Sequence, residues 1–502
     1  MDTNRHVCVK KKCTYWELNM LGKQLITIAI SAVLLLVLVG CGSTEETEVT
    51  AETQLVSSEP VYSPEAILEI GSMDPDVDDQ IRLAVEEGNM PSLSVGVIVG
   101  DELVWAKSYG ATPAGIHTAY EIGSISKTFT AVAILQLYER GLLGLDVDIN
   151  DYLPFQIRHQ DHPDSPITVR MLLNHTSGLT RVTEDYNRFV LRDHAIQDAV
   201  KRHFDLELHE LNFDRLYERG EFYEAYLVPG GTFYSDDVWS RDLGSYEYSN
   251  IGFGLLAYIV ECVSGQTFEE YLDQNIFQPL EMNASSTQVE AVRDLIANPY
   301  ERIEGKYIKV PYKDIPFYRF CKPYQLGCLL RNMILPDGQI PVPKGLEDQL
   351  DAGYLRFPVY ENLAGSSGIL SNIPNLAAYL ITHMNEGQAP NGYQLLQPDT
   401  IALMHELAAN AEGGYFYNSF PMLGVGLGWT VCENGIQGHI GGAPGYGATM
   451  LYQETNQGNV GIILLRNWSW GYVMDNDRVM DYGMQYYLPL EPLLFEAGIN
   501  ME

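Results

Sequence analysis

Buried-strand patterns lie near the two ends of this chain. Residues 92–99 form a largely apolar run, Gly100 and Asp101 turn the chain, and residues 103–106 begin a return strand. Residues 448–452 and 460–465 have the same character near the other end. We therefore expect an α/β (α+β) fold, in which both ends build one antiparallel sheet flanked by helices and the middle supplies a mostly helical lobe.

A Ser-x-x-Lys tetrapeptide, Ser124 to Lys127, precedes the apolar helical pattern of residues 128–135. A serine at the start of a helix and a lysine three residues later share one face of that helix. The positive end of the helix dipole favours negative charge at the serine. A desolvated lysine can be neutral and can accept the serine proton. The pattern alone is weak evidence, because it also arises by chance.

Two later segments add to this pattern. Tyr248-Ser249-Asn250 precedes a second apolar helical start, and His439-Ile440-Gly441-Gly442 precedes a glycine-rich turn and the strand at 448–452. The order is Ser-x-x-Lys, then Tyr-x-Asn, then a basic residue with glycine two positions on. This is the order of the active-site elements in penicillin-recognising serine hydrolases.

The chain thus resembles the class C β-lactamase-like family, which includes β-lactamases, DD-peptidases, D-aminopeptidases and esterases. Segments 172–179, 248–280, 364–371 and 423–429 also resemble that family. The resemblance implies a β-lactamase/transpeptidase-like fold. It says much less about the substrate, since one fold hosts many activities.

The resemblance assigns catalytic roles to three of these residues. Ser124 would be the nucleophile, and Lys127 would be the general base or the group that keeps Tyr248 ionisable. Tyr248 would share the proton shuttle and activate water for deacylation. Tyr246 lies two residues upstream, but the asparagine at position 250 favours Tyr248.

The resemblance also assigns residues to substrate binding. Asn250 would bond a substrate carbonyl or hold Lys127, and the backbone N–H groups of Ser124 and Gly442 would form the oxyanion hole. Gly441 has no Cβ, so a substrate can lie close to the strand. His439, as a fourth catalytic candidate, stands where β-lactamases have a lysine. A histidine is only partly charged near neutral pH and is a poorer anchor for a substrate carboxylate.

The N-terminus resembles a bacterial lipoprotein signal. An apolar run at 25–40 follows Lys23 and ends at Cys41, which would be the lipidated first residue of the mature chain. Two other interpretations stay open: an ordinary anchor helix, or a signal with a chance cysteine. Residues 1–41 are predicted as signal peptide, with Met20 a more natural start than Met1.

The remainder divides into a tether and a hydrolase domain. Residues 42–75 are predicted as an acidic disordered tether, and residues 76–490 as the β-lactamase-like domain. Helices are predicted at 76–87 and 473–487. Two oversized segments, 181–244 and 298–359, are insertions that either cover the cleft or pack as a surface subdomain.

Composition excludes some classes of function. The 31 Lys and Arg residues stand against 66 Asp and Glu residues, so nucleic-acid binding is not expected. No Cys-x-x-Cys pattern occurs, so neither a metal nor another cofactor is expected. Cys321 and Cys328 fit either a disulfide or two unpaired thiols.

The sequence predicts a lipid-anchored serine hydrolase on the extracytoplasmic face of a bacterial cell membrane. It would act through an acyl-enzyme on a small-molecule or peptide ester or amide, including peptidoglycan-type D-peptides. A catalytically silent sensor on the same fold is the first alternative, and a solute-binding lipoprotein is the second. The intact Ser124, Lys127, Tyr248 and His439 argue against the first, and the three motifs argue against the second.

Overall fold

The structure of the chain is a computed structural model. The structure describes residues 69–110, 114–180, 219–240, 242–287, 295–297, 300–303, 306–309, 340–341, 354–355, 365–411, 419–443, 445–456, 458–468 and 484–501. The predicted signal peptide, Cys41, Cys321 and Cys328 lie outside these residues. So do most of the tether and most of both predicted insertions.

A nine-stranded antiparallel sheet joins the two ends of the chain, as the sequence predicts. Its strand order is β1-β3-β2-β15-β14-β13-β12-β11-β10. The junction is the pairing of β15 with β2, which runs from Val460 opposite Val99 to Arg466 opposite Leu93. Its strands are β1 (Glu69–Ile70), β2 (Leu93–Val99), β3 (Glu102–Tyr109), β10 (Ala409–Asn410), β11 (Met422–Val425), β12 (Thr430–Cys432), β13 (Ile436–Ala443), β14 (Tyr446–Thr455) and β15 (Gly458–Arg466).

Short strands outside this sheet pair in twos: β4 (Tyr120–Glu121) with β9 (Leu370–Ser371), β5 (Tyr300–Ile303) with β6 (Lys306–Lys309), and β7 (Ile340–Pro341) with β8 (Tyr354–Leu355). The described helices are α1 (Pro75–Glu87), α2 (Ser126–Glu139), α3 (Val169–Leu173), α4 (Arg219–Leu227), α5 (Asn250–Ser264), α6 (Phe268–Leu272), α7 (Ile373–Met384), α8 (Pro398–His405), α9 (Met484–Tyr487) and α10 (Leu490–Asn500).

Both faces of the sheet are buried, because side chains alternate between two hydrophobic cores. On β15, Ile463 and Leu465 join the larger core with helices from the middle of the chain, whereas Ile462 and Leu464 join a smaller core with α1 and α10. Strands covered on both faces read as continuous apolar runs, which is the pattern that the sequence shows at 92–99 and 460–465.

The prediction of a helix at 76–87 is confirmed by α1, which begins at Pro75 after an Asp74 cap. The predicted closing helix at 473–487 lies mostly outside the described residues. Within them, α9 covers its last four positions, Met484–Tyr487. A further helix, α10, which the sequence analysis did not predict, packs on the sheet through Leu494 and Phe495.

The described part of the first predicted insertion contributes to the main core. Phe222, Tyr223 and Tyr226 on α4 are buried there, and the Tyr223 ring stacks on Tyr258 of α5. Among the described residues no single helix is both long and apolar enough to cross a membrane. The segments Asn250–Ser264 and Phe268–Phe277 pass that test of length and composition only when joined across their 80° bend.

Two buried histidines, His383 on α7 and His405 on α8, form a hydrogen bond with each other next to strand β14. His405 Nε2 lies 3.1 Å from His383 Nδ1, and Tyr452 Oη lies 2.9 Å from His405 Nδ1. A hydrogen bond between two ring nitrogens needs one nitrogen without a proton as the acceptor, so the two rings cannot be charged at the same time. Burial lowers the pKa of His405 to about 3, and burial together with His405 lowers the pKa of His383.

This pair predicts acid-sensitive stability. Above about pH 6.5 both rings are neutral in the folded and unfolded chains; below it the unfolded chain binds protons that the folded chain excludes. The free energy of unfolding should fall with decreasing pH by about 1.4 kcal/mol per pH unit for each histidine. Denaturant titrations between pH 7 and 4 measure this slope. Replacing both histidines with leucine should make the slope shallower, while the exposed-site control His162→Gln should leave it unchanged; equal slopes in all three proteins would contradict the prediction.

Candidate active site

The predicted nucleophile lies in a tight turn ahead of a buried helix. Gly123–Ile125 form a 3₁₀ turn, with Gly123 at φ +52°, that leads directly into α2. The half-buried Ser124 hydroxyl oxygen lies 3.0 Å from Lys127 Nζ and 2.9 Å from Tyr248 Oη. Two groups able to carry its proton therefore contact one oxygen.

Lys127 is completely buried in the interior of the protein. Besides contacting Ser124, its Nζ donates to the carbonyl oxygen of Ser366 at 2.9 Å. It also lies 4.8 Å from the centre of the Tyr248 ring and 5.8 Å from that of Phe253. The amine is thus removed from water, as the hypothesis of a lysine base requires.

Tyr248 precedes α5, whose N-terminus is capped by the next residue. Ser249 Oγ accepts from the N–H of Gly252 at 3.0 Å and donates to the carbonyl of Thr180 at 2.9 Å. This cap fixes the chain where it enters the helix. The Tyr248 hydroxyl is directed at Ser124, whereas the Tyr246 ring lies edge-on to His175.

Asn250 is the first residue of α5 and is nearly buried. Its Oδ1 has no hydrogen-bond partner among the residues that the structure describes. A buried amide oxygen without a partner is costly, and a substrate N–H would satisfy it. The predicted bond to a substrate carbonyl would use Asn250 Nδ2 instead and stays a prediction, whereas holding Lys127 through Oδ1 is not what the structure shows.

The backbone of strand β13 lies directly against the backbone of the nucleophile turn, Gly123–Ile125. A Cβ on Gly123 would lie 2.6 Å from both the N and the O of Gly442, and one on Gly441 would lie 3.2 Å from Ser124 N. Only glycine permits this approach. It brings the backbones of Ser124 and Gly442, the predicted oxyanion-hole residues, next to each other.

His439 is buried on the same strand. Its Nδ1 donates to the carbonyl of Ile440 at 2.6 Å. Burial is the main reason that its pKa is lowered to about 3, and Lys127 lowers it further. The ring is therefore neutral near pH 7, so the partial charge that the sequence analysis expected is lost.

Two contacts of the site were not predicted from the sequence. The Ser366 carbonyl holds Lys127, and neighbouring groups bind the same segment to α2: Thr130 donates to the carbonyl of Gly365 at 2.6 Å, and Ile369 N–H donates to Ser126 Oγ at 3.3 Å. Segment 364–371 was recognised only as family-like. The second contact is that of His175 with the Tyr248 segment; His175 belongs to segment 172–179, which was also recognised only as family-like.

No group of three or more His, Cys, Asp or Glu side chains placed to hold a metal ion occurs in the described parts of the chain. The described residues of the site present hydroxyls, an amine, imidazoles and backbone amides. A serine contacted by an amine and a phenol, with the backbone of Gly442 next to its own, has the groups needed for nucleophilic acyl transfer.

Known proteins resemble this chain over much of its length. The family model described as Beta-lactamase matches residues 77–480. Protein flp of Staphylococcus aureus is 25% identical over 216 residues, which are 42% of this chain and 37% of that protein. The human mitochondrial serine beta-lactamase-like protein LACTB is 24% identical over 330 residues, or 55% of this chain and 59% of that protein. The chain thus spans less than two thirds of either curated relative.

A solved structure extends the comparison over most of the chain. The D-amino acid amidase of Ochrobactrum anthropi SV3, complexed with L-phenylalanine amide, superposes with a TM-score of 0.56 at 16% identity. The superposition covers 85% of this chain and 99% of the amidase. At this identity the likeness establishes the fold.

Proposed function

Since the chain belongs to the beta-lactamase family, whose members are generally serine hydrolases, we propose that it hydrolyses an ester or amide through an acyl-enzyme on Ser124. The observation that supports this most strongly is the double contact of the Ser124 oxygen with Lys127 and Tyr248. A serine used only as a helix cap has no need of a buried amine and a phenol at hydrogen-bond distance.

The proposed reaction has two steps, acylation of Ser124 and hydrolysis of the acyl-enzyme. Ser124 Oγ attacks the substrate carbonyl carbon and gives its proton to the neutral amine of Lys127 or to the phenolate form of Tyr248. The carbonyl oxygen becomes negative between the N–H groups of Ser124 and Gly442. When the tetrahedral intermediate collapses, the protonated group returns the proton to the departing alcohol or amine. Tyr248, as the phenolate, then removes a proton from the water that attacks the acyl carbon, and returns that proton to Ser124 Oγ as the acid product leaves.

The substrate class follows from the charge on β13. A neutral His439 gives no fixed cation to bind a free carboxylate beside the scissile bond. We therefore favour short-chain esters and D-amino-acid amides over β-lactams. The fold neighbour is a D-amino acid amidase, and an amide has no free carboxylate, the group for which a neutral His439 provides no cation.

The class C-like arrangement and the cellular location are parts of the same proposal. The order of the three motifs supports the class C-like branch, and the apolar run ending at Cys41 supports a lipid anchor on the extracytoplasmic face. In that location the enzyme would meet peptidoglycan-type D-peptides as well as small esters and amides.

Labelling with a fluorophosphonate tests the nucleophile. We expect the probe to modify Ser124 in the wild type, as read by peptide mass spectrometry, and not to modify Ser124→Ala. Lys127→Met and Tyr248→Phe should each slow hydrolysis of p-nitrophenyl butyrate by about 10²–10⁴-fold, because each removes a proton carrier. Ser126→Ala is the matched control and should still be labelled. Labelling of Ser124→Ala at the wild-type rate would exclude Ser124, and a silent wild type would favour the sensor alternative.

Substitution of His439 tests the substrate class. His439→Lys adds a charged donor, so the ratio of kcat/KM for a chromogenic cephalosporin to that for p-nitrophenyl butyrate should rise about tenfold or more. The neutral control His439→Gln should leave the ratio near the wild-type value. Because the pKa of His439 is lowered to about 3, the wild-type ratio should also stay flat between pH 5 and 8. A ratio that climbs as the pH falls through 6.5 would show that His439 is charged in the working enzyme.

A further inference from the structure

His175 occupies an unusual backbone position beside the active site. It follows α3 and has a φ of +59°, in the left-handed region that non-glycine residues seldom adopt. The residue is buried. This conformation turns both its carbonyl group and its ring towards the segment that carries Tyr248.

Two hydrogen bonds join His175 to the residues on either side of Tyr248. The N–H of Glu247 donates to the carbonyl oxygen of His175 at 2.8 Å. The N–H of Ser249 donates to His175 Nδ1 at 3.0 Å. One residue thus holds the backbone immediately before and immediately after the tyrosine.

The imidazole ring also packs on the phenol itself. The ring centres of His175 and Tyr248 lie 4.5 Å apart with an interplanar angle of 34°, and Phe253 lies 4.9 Å away from the imidazole. These contacts limit rotation of the Tyr248 ring about its side-chain bonds. Its hydroxyl is therefore restrained at the 2.9 Å distance from Ser124 Oγ.

The contact with Ser249 requires a neutral imidazole. Nδ1 accepts a hydrogen bond, so it carries no proton, and the proton of the neutral ring is on Nε2. The surroundings enforce this state: burial, then Lys127, then His439, lower the pKa of His175 well below its ordinary value. A proton on Nδ1 would face the Ser249 N–H and break the contact.

We propose that His175 is a positioning residue, which fixes the Tyr248 hydroxyl on Ser124 through the two flanking hydrogen bonds and the ring contact. The inference rests on the proposed function, since it concerns the proton transfer that Tyr248 performs there. His175 itself exchanges no proton with the substrate. Its effect on the rate passes entirely through Tyr248, and a double-mutant cycle isolates such an effect.

The readout is the second-order rate constant for modification of Ser124 by a fluorophosphonate, which needs no knowledge of the natural substrate. His175→Gly accepts the positive φ but removes the side-chain acceptor, and should slow labelling by about 100-fold, the cost of a misplaced catalytic group. His175→Asn also tolerates positive φ and places Oδ1 where Nδ1 was, so labelling should stay within about fivefold of wild type. Asn434→Gly, at another positive-φ position, is the control and should have no effect.

The deciding comparison repeats His175→Gly in a Tyr248→Phe background. There the further loss should be less than about threefold, because the group that His175 positions is gone. If the glycine variant does not fold, His175→Leu retains buried volume and lacks the acceptor; its strain at positive φ is the same in both backgrounds and cancels in the comparison. Equal losses in both backgrounds would show that His175 serves only the fold and would overturn the inference. An unlabelled wild-type Ser124 would instead contradict the proposed function.

Discussion

The backbone contact between β13 and the nucleophile turn is the constraint on which the site depends. Glycines at 123 and 441 let a sheet strand and the start of α2 approach without side chains between them. The sheet is built from both chain ends, and α2 begins the helical lobe, so this contact joins the two halves of the molecule where the chemistry is proposed to occur. Any Cβ at either glycine would force the strand away from Ser124.

Burial keeps the two imidazoles of the site neutral, and backbone groups fix which ring nitrogen carries the proton. His439 Nδ1 donates to the carbonyl of Ile440, so its proton is on Nδ1; His175 Nδ1 accepts from the amide of Ser249, so its proton is on Nε2. The two buried rings are neutral and have opposite tautomers. Lys127 lies between neutral neighbours, with its Nζ held by the carbonyl of Ser366. Proton transfer at Ser124 is thereby separated from the ordinary titration of histidine near neutral pH.

Local features of the site could be predicted from the sequence because they depend on short spacings. Ser124 and Lys127 are three residues apart, so helical geometry alone brings them together. The continuous apolar runs at 92–99 and 460–465 likewise identified the sheet and its origin at both ends of the chain. The pairing of Ser124 with Tyr248 and with Gly442 came from the family resemblance, since no local rule relates residues so far apart in the chain.

The missed features depend on long-range or backbone contacts. The carbonyl that holds Lys127 belongs to a residue 239 positions away. Every residue has a backbone carbonyl, so the sequence does not indicate which one accepts this hydrogen bond. The helix α10 contains Pro492 and Gly498, which weaken its helical pattern. The proline lies in the first turn, where it is tolerated, and a Cβ on Gly498 would lie 2.5 Å from a Val460 methyl. Close packing against the sheet thus requires a glycine at position 498, and that glycine obscures the helical pattern in the sequence.

The most direct test is a crystal structure of the protein after fluorophosphonate modification. The phosphonyl oxygen stands in for the oxyanion of the tetrahedral intermediate. We predict phosphorus bonded to Ser124 Oγ and one phosphonyl oxygen within about 3.1 Å of both Ser124 N and Gly442 N. An adduct whose oxygen points away from β13 towards solvent, or a phosphorus bonded to another residue, would contradict the account of this site.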